Sequence, residues 1–281
     1  MKYLPLVVIM LLMLFPAVAG GVREPAVLDD RDVIAVTIVP EETFVKAVTG
    51  DTFSIVVMVP PGSSPETYEP TPKQKAALEK ADVYLAIGVP SEMAVLPSVK
   101  APIVDLGKRV SAVYPDLMLG GERDPHIWLS VRRVLVMLDV IVEEASRLKP
   151  EKRAFFQANA QAYKQQLHDA DDRVRDSLKG LQGSSFMVFH PAFGYFAHEY
   201  GLHQYALEED GKEATAQHLA RMVDLAKKER CKVVFYQAET DSRQSKAFAE
   251  AIGGVTVQLE PLSGDYLGNL GRMADAFKAG R

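Results

Sequence analysis

Residues 150–180 carry apolar side chains at Phe156, Ala160, Tyr163, Leu167, Ala170, Val174 and Leu178, with Leu181 just beyond. Steps of three and four draw one narrow stripe down a single helix, and most of the remaining positions are charged or polar. Pro150 suits a first helical position, where a missing N–H costs nothing, and Gly180 can supply a left-handed exit. At 1.5 Å per residue such a helix is roughly 45 Å long, more than the width of one small α/β lobe. It therefore has to lean on two lobes. Before and after it, short β-branched runs alternate with helical runs. This predicts an α/β chain of two lobes, each a four-stranded parallel sheet flanked by helices, joined by one long rigid helix. The boundaries are 20–149 for the first lobe, 150–181 for the helix and 182–281 for the second lobe.

Residues 1–19 open with one positive charge at Lys2, run through apolar residues over 4–15 and end in Ala17-Val18-Ala19. This is the pattern of a cleaved secretory signal. The run is short for a membrane span, and no second stretch of about 18 apolar residues follows it. The formal net charge is −5, and it becomes more negative once Lys2 is removed, which argues against nucleic acid as a partner. The single cysteine, Cys231, cannot form an internal disulfide, and none lies near the end of the signal to accept a lipid. Beside the apolar run 233–235, Cys231 reads as a small core residue. An exported chain without disulfides has to be stabilised by packing or by a ligand.

Strands are expected over 33–39, 53–59, 83–87 and 103–106 in the first lobe, and over 186–189, 204–207, 233–236 and 255–259 in the second. Ligands of open parallel sheets gather outside the carboxyl ends of the strands. Glu66 lies in a loop stiffened by Pro65, Pro70 and Pro72 after the second strand, and His126 follows the fourth. His190 directly follows the fifth strand and Asp265 the eighth. Each has an ordinary alternative: His126 as a capping or surface residue, Asp265 as a helix N-cap. Together they supply two imidazoles and two carboxylates, two from each lobe. Such a set suits Zn²⁺ at about 2.0–2.2 Å, or Mn²⁺. Dispersed ligands have no short motif comparable to HExxH, so spacing alone leaves both readings open.

The strings Pro65-Glu66-Thr67-Tyr68-Glu69-Pro70-Thr71-Pro72, Asp124-Pro125-His126-Ile127-Trp128-Leu129 and Phe189-His190-Pro191-Ala192-Phe193-Gly194-Tyr195-Phe196, and the ending Pro261-Leu262 through Gly264-Asp265-Tyr266, resemble the zinc- and manganese-binding solute-binding proteins of ABC importers. The match runs in that family's order over nearly all of the chain after the signal. It implies two lobes with a metal held between them and no catalytic residues. It also implies a monomeric receptor outside the cytoplasmic membrane, periplasmic or at the extracytoplasmic surface. Such a receptor takes up a divalent transition metal as transported ligand, zinc before manganese, and delivers it to an ABC permease. By position, His126 and His190 match two histidine ligands and Asp265 matches the carboxylate ligand. Glu66 departs from the family pattern, standing where most relatives have a histidine in His-x-Tyr-Glu-Pro. Either Glu66 coordinates as a carboxylate, or the position goes to water or to Glu69. The histidine-rich loop of many zinc-specific relatives is absent, and an added oxygen donor makes Mn²⁺ more credible.

The other histidines, His168, His198, His203 and His218, read as surface residues. Trp128 reads as core beneath the site, with Tyr195 and Gln237 as hydrogen-bonding neighbours of the ligands. Three rivals remain. A secreted zinc hydrolase needs an open coordination position and a general base, and neither HExxH nor G-x-S-x-G occurs. A two-lobed receptor for a larger ligand, such as a metal chelate, would leave the histidines and the aspartate unexplained. No residue points to attachment to a host surface or matrix.

Overall fold

Val33–Val36 (β1) is buried along its whole length and leads straight into Val39–Thr49 (α1). Such a run needs cover on both faces, which is how central strands of parallel sheets sit. In the computed structural model, residues 31–208, 214–239 and 242–280 are described, and the segment read as a signal lies outside them. The first lobe continues with Ser54–Val57 (β2), Pro72–Leu78 (α2), Val83–Ala86 (β3), Ile103–Asp105 (β4) and Leu106–Ser111 (α3). Its sheet is parallel, in the order β2-β1-β3-β4. Thr71 and Gln74 cap α2 reciprocally, with Pro72 in its first turn. A short antiparallel hairpin, Met118–Leu119 (β5) with Glu122–Arg123 (β6), was not anticipated. Two-residue strands leave no period to read. Val131–Leu148 (α4) completes the lobe.

The connecting helix Arg153–Ser177 (α5) is 25 residues, entered through a 3₁₀ turn at Pro150–Lys152. Its buried residues are Phe156, Ala160, Tyr163, Leu167, Ala170 and Val174, the stripe expected from the sequence. The second lobe follows as Ser185–Val188 (β7), Gly194–Tyr200 (α6), His203–Ala206 (β8), Ala216–Lys228 (α7), Val233–Gln237 (β9), Ser242–Ala251 (α8), Val255–Leu259 (β10) and Tyr266–Ala279 (α9). Its sheet runs β10-β9-β7-β8, all parallel. Read from the other edge this is the order of the first sheet, so the two lobes repeat one topology. In each sheet the chain reverses direction of winding beside the lobe's first strand, where open sheets hold ligands.

The lobes share their apolar interior. One continuous hydrophobic core contains residues of both sheets, with α4, α5 and α9 between them. α5 packs on α1 and α4 from the first lobe and on α9 from the second. Phe44 of α1 meets Tyr266 of α9 edge-on at 4.8 Å. A smaller cluster, which includes Cys231, covers the other face of the second sheet. Polar contacts close the same interface. Trp128 Nε1 donates to the Pro261 carbonyl at 2.9 Å, Tyr266 Oη to the Trp128 carbonyl at 2.6 Å, and Thr43 Oγ1 to the Gly264 carbonyl at 2.9 Å. The Glu199 side chain of α6, 2 % exposed, accepts a hydrogen bond from Arg133 Nη1 at 3.3 Å and forms an ion pair with Arg132, whose Nε lies 2.8 Å away. Among the described residues, no helix is long and apolar enough to cross a membrane.

Candidate metal centre

Three chemically different segments converge between the lobes. The loop after β2 is built by Pro60-Pro61-Gly62 and then tightened by Ser64, whose carbonyl accepts the Tyr68 N–H at 3.0 Å and whose Oγ accepts the Glu66 N–H at 3.2 Å. The Pro65 carbonyl accepts the Ser91 N–H at 3.1 Å, tying the loop to the segment after β3. Glu66 is thereby held over the sheet edge with its carboxylate 29 % exposed.

His126 follows the β5–β6 hairpin. Asp124 accepts both its backbone N–H at 2.9 Å and its Nδ1–H at 2.7 Å from the same oxygen. Asp124 is itself held across the lobe boundary, since Tyr195 Oη donates to its carbonyl at 3.2 Å. The Trp128 ring lies 5.1 Å from the His126 ring.

His190 extends from β7. The pairing Val188↔Ala206 between β7 and β8 continues past the strands, with the Glu208 N–H donating to the Phe189 carbonyl at 2.9 Å. Two residues on, that register sets Glu208 beside His190, and Glu208 Oε2 accepts Nδ1–H at 2.7 Å. Burial by itself lowers the pKa of His190, but the hydrogen bond and charge of Glu208, with the charges of Glu66 and Asp124, outweigh it and raise it above the ordinary imidazole value.

The two carboxylates fix both tautomers. With each Nδ1 protonated, each Nε2 presents a lone pair. These Nε2 atoms stand 3.2 Å apart, and Glu66 Oε1 lies 3.8 Å from His126 Nε2 and 3.7 Å from His190 Nε2. Donors at tetrahedral corners around Zn²⁺ stand roughly 3.3 Å from one another. The point equidistant from these three atoms in their plane is about 2.1 Å from each, a Zn–N or Zn–O bond length. Two lone pairs and a carboxylate at such separations repel unless a cation lies among them. Among the described residues this is the one group of three or more such side chains whose donor atoms lie within 4.8 Å of one another.

Asp265, expected as the fourth ligand, lies apart from these three donors in this structure. Its carboxylate is 64 % exposed, pairs with Arg272 Nη1 at 2.7 Å and accepts the Gly268 N–H at 3.2 Å as the N-cap of α9. The Arg272 hydrogen bond holds its pKa below the usual carboxylate value. The capping role wins because it satisfies an otherwise orphaned N–H and meets the positive end of the helix. Glu69, the other carboxylate considered for the site, is exposed. Trp128 is core, 1 % exposed, and Gln237 lines the cleft. His168 and His203 are exposed, as is His198, whose Nδ1 lies 3.3 Å from an Arg132 nitrogen.

Sequence reading missed Asp124 and Glu208. The signal for Asp124 stands two residues before the histidine. For Glu208 it exists only in the strand register. Two cavities border the triad: one of about 210 Å³ lined by Trp128 and Pro261, and one of about 530 Å³ beneath the β5–β6 hairpin.

A family model described as "Zinc-uptake complex component A periplasmic" matches residues 34–280. The high-affinity zinc uptake system protein ZnuA of Bacillus subtilis is 28 % identical over 261 residues, 84 % of this chain and 80 % of that protein. The zinc-binding lipoprotein AdcA of Streptococcus pneumoniae is 28 % identical over 254 residues, 82 % of this chain, which spans only 50 % of that relative's length. A solved structure described as the crystal structure of ZnuA superposes with a TM-score of 0.84 at 33 % identity, covering 89 % of this chain and 99 % of that one.

Proposed function

Because the chain belongs to the family of periplasmic zinc-uptake complex component A, we propose that it captures a divalent transition metal outside the cytoplasmic membrane and delivers it to an ABC permease. It is a solute-binding receptor and not an enzyme. One observation carries the reading: Glu66 and His126 from the first lobe and His190 from the second offer three lone-pair donors at the spacing of one ion. These three are the ligands, and Asp265 remains a cap. Because one copy supplies donors from both lobes, the receptor works as a single chain.

Zinc is the cargo favoured by the donor set. Two imidazoles and one carboxylate suit a tetrahedral ion, and affinity for such a site rises from Mn²⁺ towards Zn²⁺. Manganese is the second reading, because Glu66 contributes oxygen where nitrogen is usual in the family. The export pattern of residues 1–19 and the uptake systems named among the relatives support the extracytoplasmic location and the permease as partner.

Calorimetric titration of the chelator-stripped chain with Zn²⁺ and, separately, Mn²⁺ at pH 7.5 tests this. Tight one-to-one binding with Zn²⁺ ahead of Mn²⁺ is expected. Binding of both ions weaker than about 10 µM, on the order of −7 kcal/mol, would overturn the reading.

A further inference from the structure

Three donors do not complete a coordination sphere, and the larger cavity beside them is not shaped for water alone. Its volume, about 530 Å³, lies within the range of small-molecule pockets, whereas one water occupies about 30 Å³ of liquid. Glu66, His126 and His190 form part of its wall, and Arg123 of β6 forms another part.

Arg123 has been given space by two glycines. A Cβ at Gly88 would lie 2.7 Å from its guanidinium, and one at Gly107 would lie 2.4 Å from it. Gly88 also has φ +96, a backbone that side chains rarely adopt, so both steric and conformational reasons keep that position bare. The guanidinium is 26 % exposed and meets Asp105 only at 3.5 Å. Asp105 is its one hydrogen-bond partner among the described residues, and its planar fork has the geometry that matches a carboxylate. Three carboxylates also reach the cavity: Glu66, Glu208 and Glu122. Glu208 is engaged by His190, Glu66 faces the two histidine Nε2 atoms, and Glu122 is exposed on the hairpin. Arg123 is the cation among the lining residues.

We propose that this cavity receives a small chelating carboxylate, an amino or hydroxy acid, which fills the coordination left open by Glu66, His126 and His190 while a carboxylate oxygen pairs with Arg123. The proposal rests on the receptor reading above and goes further: the cargo enters as a mixed metal–carboxylate complex. The Arg123 guanidinium supplies the positive charge on the cavity wall that the co-ligand's carboxylate meets.

The chelator-stripped chain is loaded with one equivalent of Co²⁺ in a non-coordinating buffer and followed by its visible ligand-field bands while L-malate is added. Ethylenediamine, bidentate but without a carboxylate, is the control. A saturable band change with malate only, with cobalt retained on gel filtration, is expected. Arg123→Gln should raise the malate concentration at half-saturation about tenfold, the worth of a charge-assisted hydrogen bond, and Arg123→Lys should fall between. Native mass spectrometry of the unaltered chain, which needs no variant, should show protein, metal and malate one to one to one. No band change, an equal change with ethylenediamine, cobalt leaving with the malate, or an unshifted midpoint in Arg123→Gln would each overturn the proposal. Failure of cobalt to bind before any malate is added would instead overturn the receptor reading beneath it.

Discussion

His126 and His190 point their Nε2 atoms at each other across the lobe boundary at 3.2 Å, and each ring is held from behind by a carboxylate at 2.7 Å, Asp124 for one and Glu208 for the other. The ion must replace whatever proton the pair holds. His190 is held above the ordinary imidazole value of about 6.5, so affinity for Zn²⁺ should fall as pH drops, with a midpoint above that value. Glu208→Gln removes the charge that raises it. The variant should bind about 10- to 100-fold more weakly at pH 7.5, with its midpoint moved to lower pH. Calorimetry between pH 5 and 8.5 checks both, and a midpoint unmoved in the variant would contradict the role given to Glu208.

Gly194 controls His126 from the opposite lobe. A Cβ there would stand 2.8 Å from Asp124 Oδ2, closer than real contacts allow, so Gly194→Ala should push the carboxylate off the ring and weaken Zn²⁺ binding about tenfold. Gly271 in α9 is the control. A Cβ there meets nothing within 4 Å, and Gly271→Ala should leave binding alone while stabilising the fold by about 0.5–1 kcal/mol. Equal binding by both variants would refute the contact argument.

The lobes are clasped by Glu199 with Arg132 and Arg133, where Glu199 and Arg133 are 2 % and 1 % exposed. Glu199→Ala leaves the buried Arg133 guanidinium without its carboxylate, although the Pro115 carbonyl still accepts from it at 2.7 Å, and should cost about 3 kcal/mol, seen as a lowered denaturation midpoint. With that clasp, a continuous core and one unbroken helix, wide hinge closure has no segment to bend. Small-angle scattering of the wild-type chain should give the same radius of gyration with and without Zn²⁺. A fall of several ångströms would disprove the rigid connection.

Glu41 is fully buried in the first lobe, where Oε2 accepts the Thr37 and Ile38 N–H groups at 3.0 Å each. Burial first, and the charge of nearby Glu92 second, raise its pKa well above 4.5. The folded chain therefore keeps a proton that the unfolded chain has released. The stability this contributes is complete below about pH 4.5 and is lost as pH rises through the folded-state value. The metal-free chain should melt at lower temperature as pH is raised above 4.5, and Glu41→Gln should flatten that slope. An unchanged slope would exclude Glu41 as its source.

What the sequence determined by itself was local or periodic. The stripe from Phe156 to Val174 and the apolar strand runs each follow from patterns within a few residues, so α5 and the two parallel sheets were legible in advance. Glu66, His126 and His190 were legible as candidates, because each follows a strand and ligands collect there. The tertiary structure alone decided which candidates meet. Asp265 looked equal to the others by position, yet Arg272 and the Gly268 N–H are nearer partners and hold it at the helix end. Glu208 carried no signal at all, because its place beside His190 comes from the β7–β8 register, 18 residues apart in the chain. A metal site between lobes is assembled by packing, and packing brings together atoms whose separation along the chain says nothing about their separation in space.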